Sequence, residues 1–203
     1  MSTLFKTELA ALNLQCSDKH NSQDQAWNQA DHYLIRELQN SDDYTNKTIG
    51  CINDSFGALS LSSGQSTVFT DSAISQRWIR HNAQLNNRAA PDIHDIPGLA
   101  NANCDIYLMR LPKNLHYFQY LLSLLSHKSN ATIIVSGMQK HWPASFYQAA
   151  GDFFEGIEVL PGVKKAKCMI LTQGKAIDDF QATQTLSFAD VNLQCCNYPN
   201  VFA

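Results

Sequence analysis

Three groups of residues in this 203-residue chain have types and spacing suited to chemistry. The first is the turn Asn53-Asp54-Ser55-Phe56-Gly57, which follows the apolar run Ile49 to Ile52. The second is Asp71, placed directly after another apolar run. The third is a set of basic residues: Lys164, Lys165 and Lys167, with Arg110, Lys113 and Lys140. In a nucleotide-binding sheet the turn after the first core strand is rich in glycine, because only glycine lets the backbone approach the ligand closely. This turn keeps one glycine. Asp71 stands where an acidic residue holds ribose hydroxyls in such sheets, yet aspartate is also among the best helix N-caps, and the cap is the favoured reading. Asn53, Asp54, Gly57 and Asp71 therefore have the layout of a cofactor site without its ligand chemistry.

The basic residues allow two readings. If Val163 to Leu171 is a strand, Lys165 and Lys167 share one face, and Arg110, Lys113 and Lys140 extend a strip able to hold phosphates. Alternatively, the lysines guard an edge strand against aggregation. The net charge of -3 excludes a chain that grips nucleic acid through bulk positive charge, but not a local patch.

Other chemistries find little support. Enzymes that methylate an amino group on a planar ring commonly carry Asn-Pro-Pro plus an aromatic at the end of a core strand, whereas this chain has Arg110-Leu111-Pro112-Lys113. The amide and the aromatic are both missing. Seven histidines (His20, His32, His81, His94, His116, His127, His141) lie apart and read as solvated. Six cysteines (Cys16, Cys51, Cys104, Cys168, Cys195, Cys196) include no C-x-x-C pair, so no metal site is expected; Cys51, Cys104 and Cys168 read as core thiols within strands. Asp178-Asp179 reads as a solvated loop.

The elements that must position these residues follow from periodicity. An amphipathic helix is predicted over 23 to 39 with Ser22 as cap, preceded by a short strand or arm around Leu4 to Leu14. Strand 48 to 53, helix 55 to 62, strand 66 to 70 and helix 72 to 86 come next. A loop with at most a short strand near Ile93 leads to the apolar run Asp105 to Leu111 and the helix Leu115 to Ser126. Strand 131 to 136 and a helix from Pro143 to about Glu155 precede two strands joined through Pro161-Gly162, and short strands follow near Thr183 to Ser187 and Val191 to Cys196. Helices alternating with strands argue for a doubly wound, mostly parallel α/β sheet with an antiparallel C-terminal edge, in a single domain over 1–203. No apolar run approaches the ~18 residues of a membrane span, and the N-terminus lacks a basic region followed by an apolar stretch, so a cytosolic location is expected.

The blocks DQAWNQADHYLIREL, CINDSFGALS, VFTDSAISQRWIRHNAQLN, IYLMRLPKNL, VKKAK and YPNVFA, taken in order, resemble the N-terminal half of the bacterial large-subunit ribosomal RNA methyltransferase G family. The small-subunit methyltransferase C family has a similar two-domain plan. The resemblance implies two tandem methyltransferase-like (Rossmann-like) domains, the first degenerate and the second methylating a guanine exocyclic amine with S-adenosylmethionine. It implies no cofactor in these residues, a catalytic half after Ala203, and ribosomal RNA and that catalytic half as partners. A degenerate domain could keep its sheet while its ligand turn drifted, and its lysines could dock RNA. Oligomeric state is not legible.

Overall fold

The computed structural model describes residues 3–17, 24–177, 183–188 and 191–196, the last two segments through their strand pairing alone. Consecutive buried apolar residues need cover on both faces, and the central strands meet that need by lying between two layers of helices. Strands β3 (Ile49–Ile52), β4 (Ser66–Phe69), β5 (Asp92–His94), β6 (Ile106–Arg110), β7 (Thr132–Met138), β8 (Phe154–Val163) and β9 (Ala166–Gly174) form one sheet in the order β5-β4-β3-β6-β7-β9-β8. The first five are parallel, and β9 runs antiparallel to both β7 and β8. A hairpin of β1 (Leu4–Lys6) and β2 (Ala11–Asn13) precedes the sheet, and a second hairpin, β10 (Thr183–Phe188) with β11 (Val191–Cys196), follows it. The doubly wound sheet with an antiparallel C-terminal edge is thus observed.

Alternation along β6 divides the core. Ile106 and Leu108 pack with Phe5, Leu12, Tyr33, Leu34 and Leu38, under helix α1 (Gln29–Asn40) and the β1-β2 hairpin. Tyr107 and Met109 face the other way, against Phe118, Leu121, Leu122 and Phe146 of helices α3 (Leu115–Ser126) and α4 (Ala144–Phe153). Helix α2 (Ala73–Leu85) sends Ile79 and Ala83 into the α1 side. Cys51 and Cys168 are fully buried in strands, as expected, but Cys104 is only half-buried and precedes β6 rather than lying in it. The side chains of Cys195 and Cys196 lie outside the described residues.

Four boundaries depart from the expectations. Helix α1 starts at Gln29, where Asn28 accepts from the Ala30 N–H at 2.8 Å and the Asp31 carboxylate accepts from the Asn28 N–H at 2.7 Å. This capping box fixes the start, while Ser22 lies outside the described residues. No helix forms over 55 to 62; Gly57 to Ser63 make a compact turn closed by one side chain, as set out below. Helix α2 is capped by Ser72, whose Oγ accepts from the Ser75 N–H at 3.2 Å, and not by Asp71. Strand β8 runs straight through Pro161 and Gly162 with a register irregularity, and the chain reverses at Lys164 and Lys165, both with positive φ (47° and 67°). An edge strand tolerates proline because one side of its backbone needs no ladder partner.

Candidate nucleic-acid interface

The turn after β3, Asp71 and the basic residues sit at the carboxyl end of the parallel strands, in two neighbouring groups. The first group follows β3 and β4. Asn53 is held in a left-handed conformation (φ 60°), with its N–H donating to Phe69 O at 3.2 Å and its Oδ1 accepting from the Tyr117 hydroxyl at 3.0 Å. Asp54 is fully buried and accepts from Gly57 N–H (3.0 Å), Ser60 N–H (2.9 Å) and Ser60 Oγ (2.8 Å). That carboxylate gathers the chain into the compact turn where periodicity suggested a helix. Gly57 has φ +87°, and a Cβ there would come within 2.8 Å of Leu61 Cδ1. Its glycine is accounted for by backbone hand and by Leu61 packing, with no ligand needed. Asp71 is exposed, and its Oδ1 accepts from the Ile96 N–H at 2.8 Å, tying down the loop after β5. Burial, and next the nearby Asp71 carboxylate, push the Tyr117 phenol above its ordinary value.

Arg110 joins this group rather than standing free. Its Nε lies 3.2 Å from Oδ1 of Asp31, a fully buried carboxylate at the start of α1, and its Nη1 donates to Ser55 Oγ at 3.4 Å. The Asp31 Oδ1 contact is close enough for an ion pair but lacks hydrogen-bond alignment. Burial raises the Asp31 carboxyl above its ordinary value, against the smaller opposing pull of Arg110. Asp31 and Tyr117 carried no recognisable signal beyond helical spacing, because their partners lie on other elements far along the chain.

The second group follows β6, β7 and β8. Arg110 pairs with Ser136 across the β6-β7 register, Gly137 with Lys167, and Met138 with Ala166, so the β8-β9 turn is carried to the carboxyl end of β7. Gln139 N–H then donates to Lys165 O at 2.7 Å, seating the turn beside the segment that bears Lys140. Lys113, Lys140, Lys164 and Lys165 are exposed; Lys167 is half-buried. Because Lys164 and Lys165 form the reversal, the expectation that Lys165 and Lys167 alternate along one strand face is replaced by a tip and a strand residue. Lys164 also lies near His32, whose imidazole is pushed down by burial and secondly by that charge. The sequence-derived basic residues thus gather at one end of the sheet, with Arg110 committed to Asp31.

A trough of about 1460 Å³ opens among residues that lead into β3 to β6, including Lys47, Thr48, Gln65, Pro91 and Cys104. Its wall includes Ser60, Leu61 and Phe69, which partner the first group, but none of Asn53, Asp54, Gly57 or Asp71 and none of the basic residues of the second group. Among the described residues, no group of three His, Cys, Asp or Glu side chains could hold a metal ion, and no helix is long and apolar enough to cross a membrane. Asp178-Asp179, His20 and the YPNVFA segment lie outside the described residues.

Residues 2–175 match the RLMG N-terminal domain family. The chain belongs to that family. Ribosomal RNA large subunit methyltransferase G of Shewanella sediminis (strain HAW-EB3) is 29% identical over 218 residues, an alignment covering 100% of this chain and 52% of that protein. The chain spans about half the length of the curated relatives it matches. Among solved structures, ribosomal protein L11 methylase from Lactobacillus delbrueckii subsp. bulgaricus superposes with a TM-score of 0.58 at 14% identity, over 71% of this chain and 78% of that one. The T. thermophilus 16S rRNA N2 G1207 methyltransferase (RsmC), in complex with AdoMet and guanosine, gives 0.56 at 11% identity, over 94% of this chain and 50% of that one. At these identities the likeness concerns the fold, a methyltransferase-type sheet. This chain thus has that sheet, with its turn after β3 built on Asp54.

Proposed function

We propose that this domain is the non-catalytic RNA-recognition and scaffold part of a cytoplasmic, S-adenosylmethionine-dependent 23S rRNA guanine-N2 methyltransferase whose catalytic half follows it. The observation that carries the reading is the division at the carboxyl end of the sheet. Where a methyltransferase would hold its cofactor, the side chains of Asn53, Asp54 and Ser55 are bound within the domain, to Tyr117, to Gly57 and Ser60, and to Arg110. These residues do not fit S-adenosylmethionine: the sole glycine of the turn is filled against Leu61 and the buried carboxylate faces backbone N–H groups. One strand further on, Lys113, Lys140, Lys164 and Lys165 form no ion pair with an acidic side chain among the described residues. A cluster of solvated cations on a chain of net charge -3 suits phosphates rather than general stickiness.

The test is RNA affinity as a function of salt, with ribosomal RNA fragments and a variant carrying Lys164→Glu, Lys165→Glu and Lys167→Glu. Losing three phosphate contacts should weaken binding and flatten the slope of log K against log salt by about 2. An unchanged affinity and slope would remove the RNA role. One feature favours a second contact, with the catalytic half: β8 is the free edge of the sheet, and Val159 and Ile157 on it are 52% and 37% exposed. Val159→Glu in the full-length protein should then ease proteolysis between the halves while sparing RNA affinity.

A further inference from the structure

Beside the lysines stands an aromatic side chain that charge alone does not explain. Tyr147, in the first turn of α4, is half-buried; part of it packs against the α3-α4 core and part stays open. It is braced from below by Trp142, with ring centroids 5.3 Å apart and planes at 34°. Trp142 itself is buried and anchored by its indole N–H, which donates to Gly137 O at 3.0 Å. A side chain at Gly137 would crowd both Leu111 and Trp142, with a Cβ at 2.8 Å from Leu111 Cβ and 3.1 Å from the Trp142 indole nitrogen, so the bare glycine is what lets the indole sit there. From the strand side, Lys167 places its Nζ 3.4 Å from the Tyr147 hydroxyl and 5.8 Å from the ring centroid. Lys167 is opposite Gly137 in the β7-β9 register, and Lys140 and Lys165 flank the same corner through the Gln139 to Lys165 hydrogen bond.

A fixed ring ringed by cations is the arrangement that binds single-stranded nucleic acid, in which a base stacks on the aromatic face and the adjoining phosphates meet the lysines. A duplex keeps its bases stacked inside and has no use for such a ring. We infer that Tyr147 is a stacking platform for one unpaired base, making the lysine corner a site for single-stranded RNA rather than for the backbone of a duplex. The inference rests on the RNA-docking reading above and deepens it. Lys167 lies at the ring's hydroxyl and supplies a charge for the phosphate, while the ring itself is held by Trp142 and the α3-α4 core. Trp142 is a positioning residue, which sets the tilt of the platform from within the core.

The experiment compares Tyr147→Ala, Tyr147→Leu and Tyr147→Phe in the intact protein, titrating an unpaired RNA oligonucleotide and a duplex of equal length across a salt series. Tyr147→Leu keeps the apolar packing of the side chain and guards against a variant that merely loosens α4, and thermal melts check all three. Tyr147→Ala and Tyr147→Leu should weaken binding of the unpaired RNA about tenfold with an unchanged salt slope, whereas Tyr147→Phe stays close to the parent and duplex binding does not move. Parent-like affinity of Tyr147→Leu for unpaired RNA, or an equal loss for the duplex, overturns the platform. The two readings fail separately: if the lysine reversals still flatten the salt slope while Tyr147 variants bind normally, only the platform falls. If the lysine reversals also change nothing, the RNA-docking reading falls with it.

Discussion

The turn after β3 and the corner after β7 occupy the same end of one sheet and use their polar groups in opposite ways. At the turn, Asp54 is held by Gly57 and Ser60, Asn53 by Tyr117, and Arg110 is paired with the buried Asp31, all inside the fold. At the corner, Lys140, Lys164 and Lys165 are left in solvent. A group that is buried and satisfied stabilises the chain and is closed to a ligand, while an exposed charge adds little stability and stays available. The comparison therefore predicts that substitutions at the turn change folding and not RNA affinity, and substitutions at the corner do the reverse.

The largest effect should come from Asp54→Ala. It removes the acceptor of two buried N–H groups and one hydroxyl and should cost about 4 kcal/mol in chemical denaturation. A loss below ~1 kcal/mol would mean that the turn is not organised by this carboxylate. Next is Arg110→Ala, which leaves Asp31 buried without its cation and should cost about 3 kcal/mol, while RNA affinity per folded molecule changes little. If Arg110→Ala instead left stability intact and weakened RNA binding, the boundary between the two regions would have to move to place Arg110 with the lysines.

A smaller effect follows from Asp31. Its folded carboxyl titrates above its unfolded value, so the folded chain binds the proton more tightly and stability falls as pH rises from the ordinary value of 3.8 through the folded one. Asp31→Asn keeps an acceptor for the Asn28 N–H, removes that titration, and should flatten the decline in a series of melts across the acid range. The smallest stability change is expected for Lys164→Glu with Lys165→Glu, within about 0.5 kcal/mol of the parent because both side chains are in solvent. A large destabilisation there would show that the lysines serve the hairpin rather than a ligand.

Much of the sheet was legible because buried strands announce themselves as short apolar runs: Ile49 to Ile52, Ile106 to Leu111 and Ala131 to Ser136 all lie where periodicity put strands. What was illegible depended on single side chains acting at a distance or over one residue. Asp54 folds the following residues into a turn although their spacing suits a helix. Ser72 takes the cap from Asp71, freeing that carboxylate to hold the loop at Ile96. Pro161-Gly162 has the stronger turn chemistry, yet β9 pairs past it and the chain reverses at Lys164-Lys165. At the site, the basic residues were readable by type, but that Arg110 belongs to Asp31 and that Tyr147 packs against Trp142 with Lys167 at its hydroxyl are facts of tertiary packing.

The most direct test of the division is calorimetry of S-adenosylmethionine against this chain, with Asp71→Ala as the companion variant. The account predicts no binding at micromolar concentration for either protein, because the turn has spent its polar groups on the fold. Micromolar binding to the parent that Asp71→Ala abolishes would contradict it and return Asn53 to Gly57 to the role of a cofactor site.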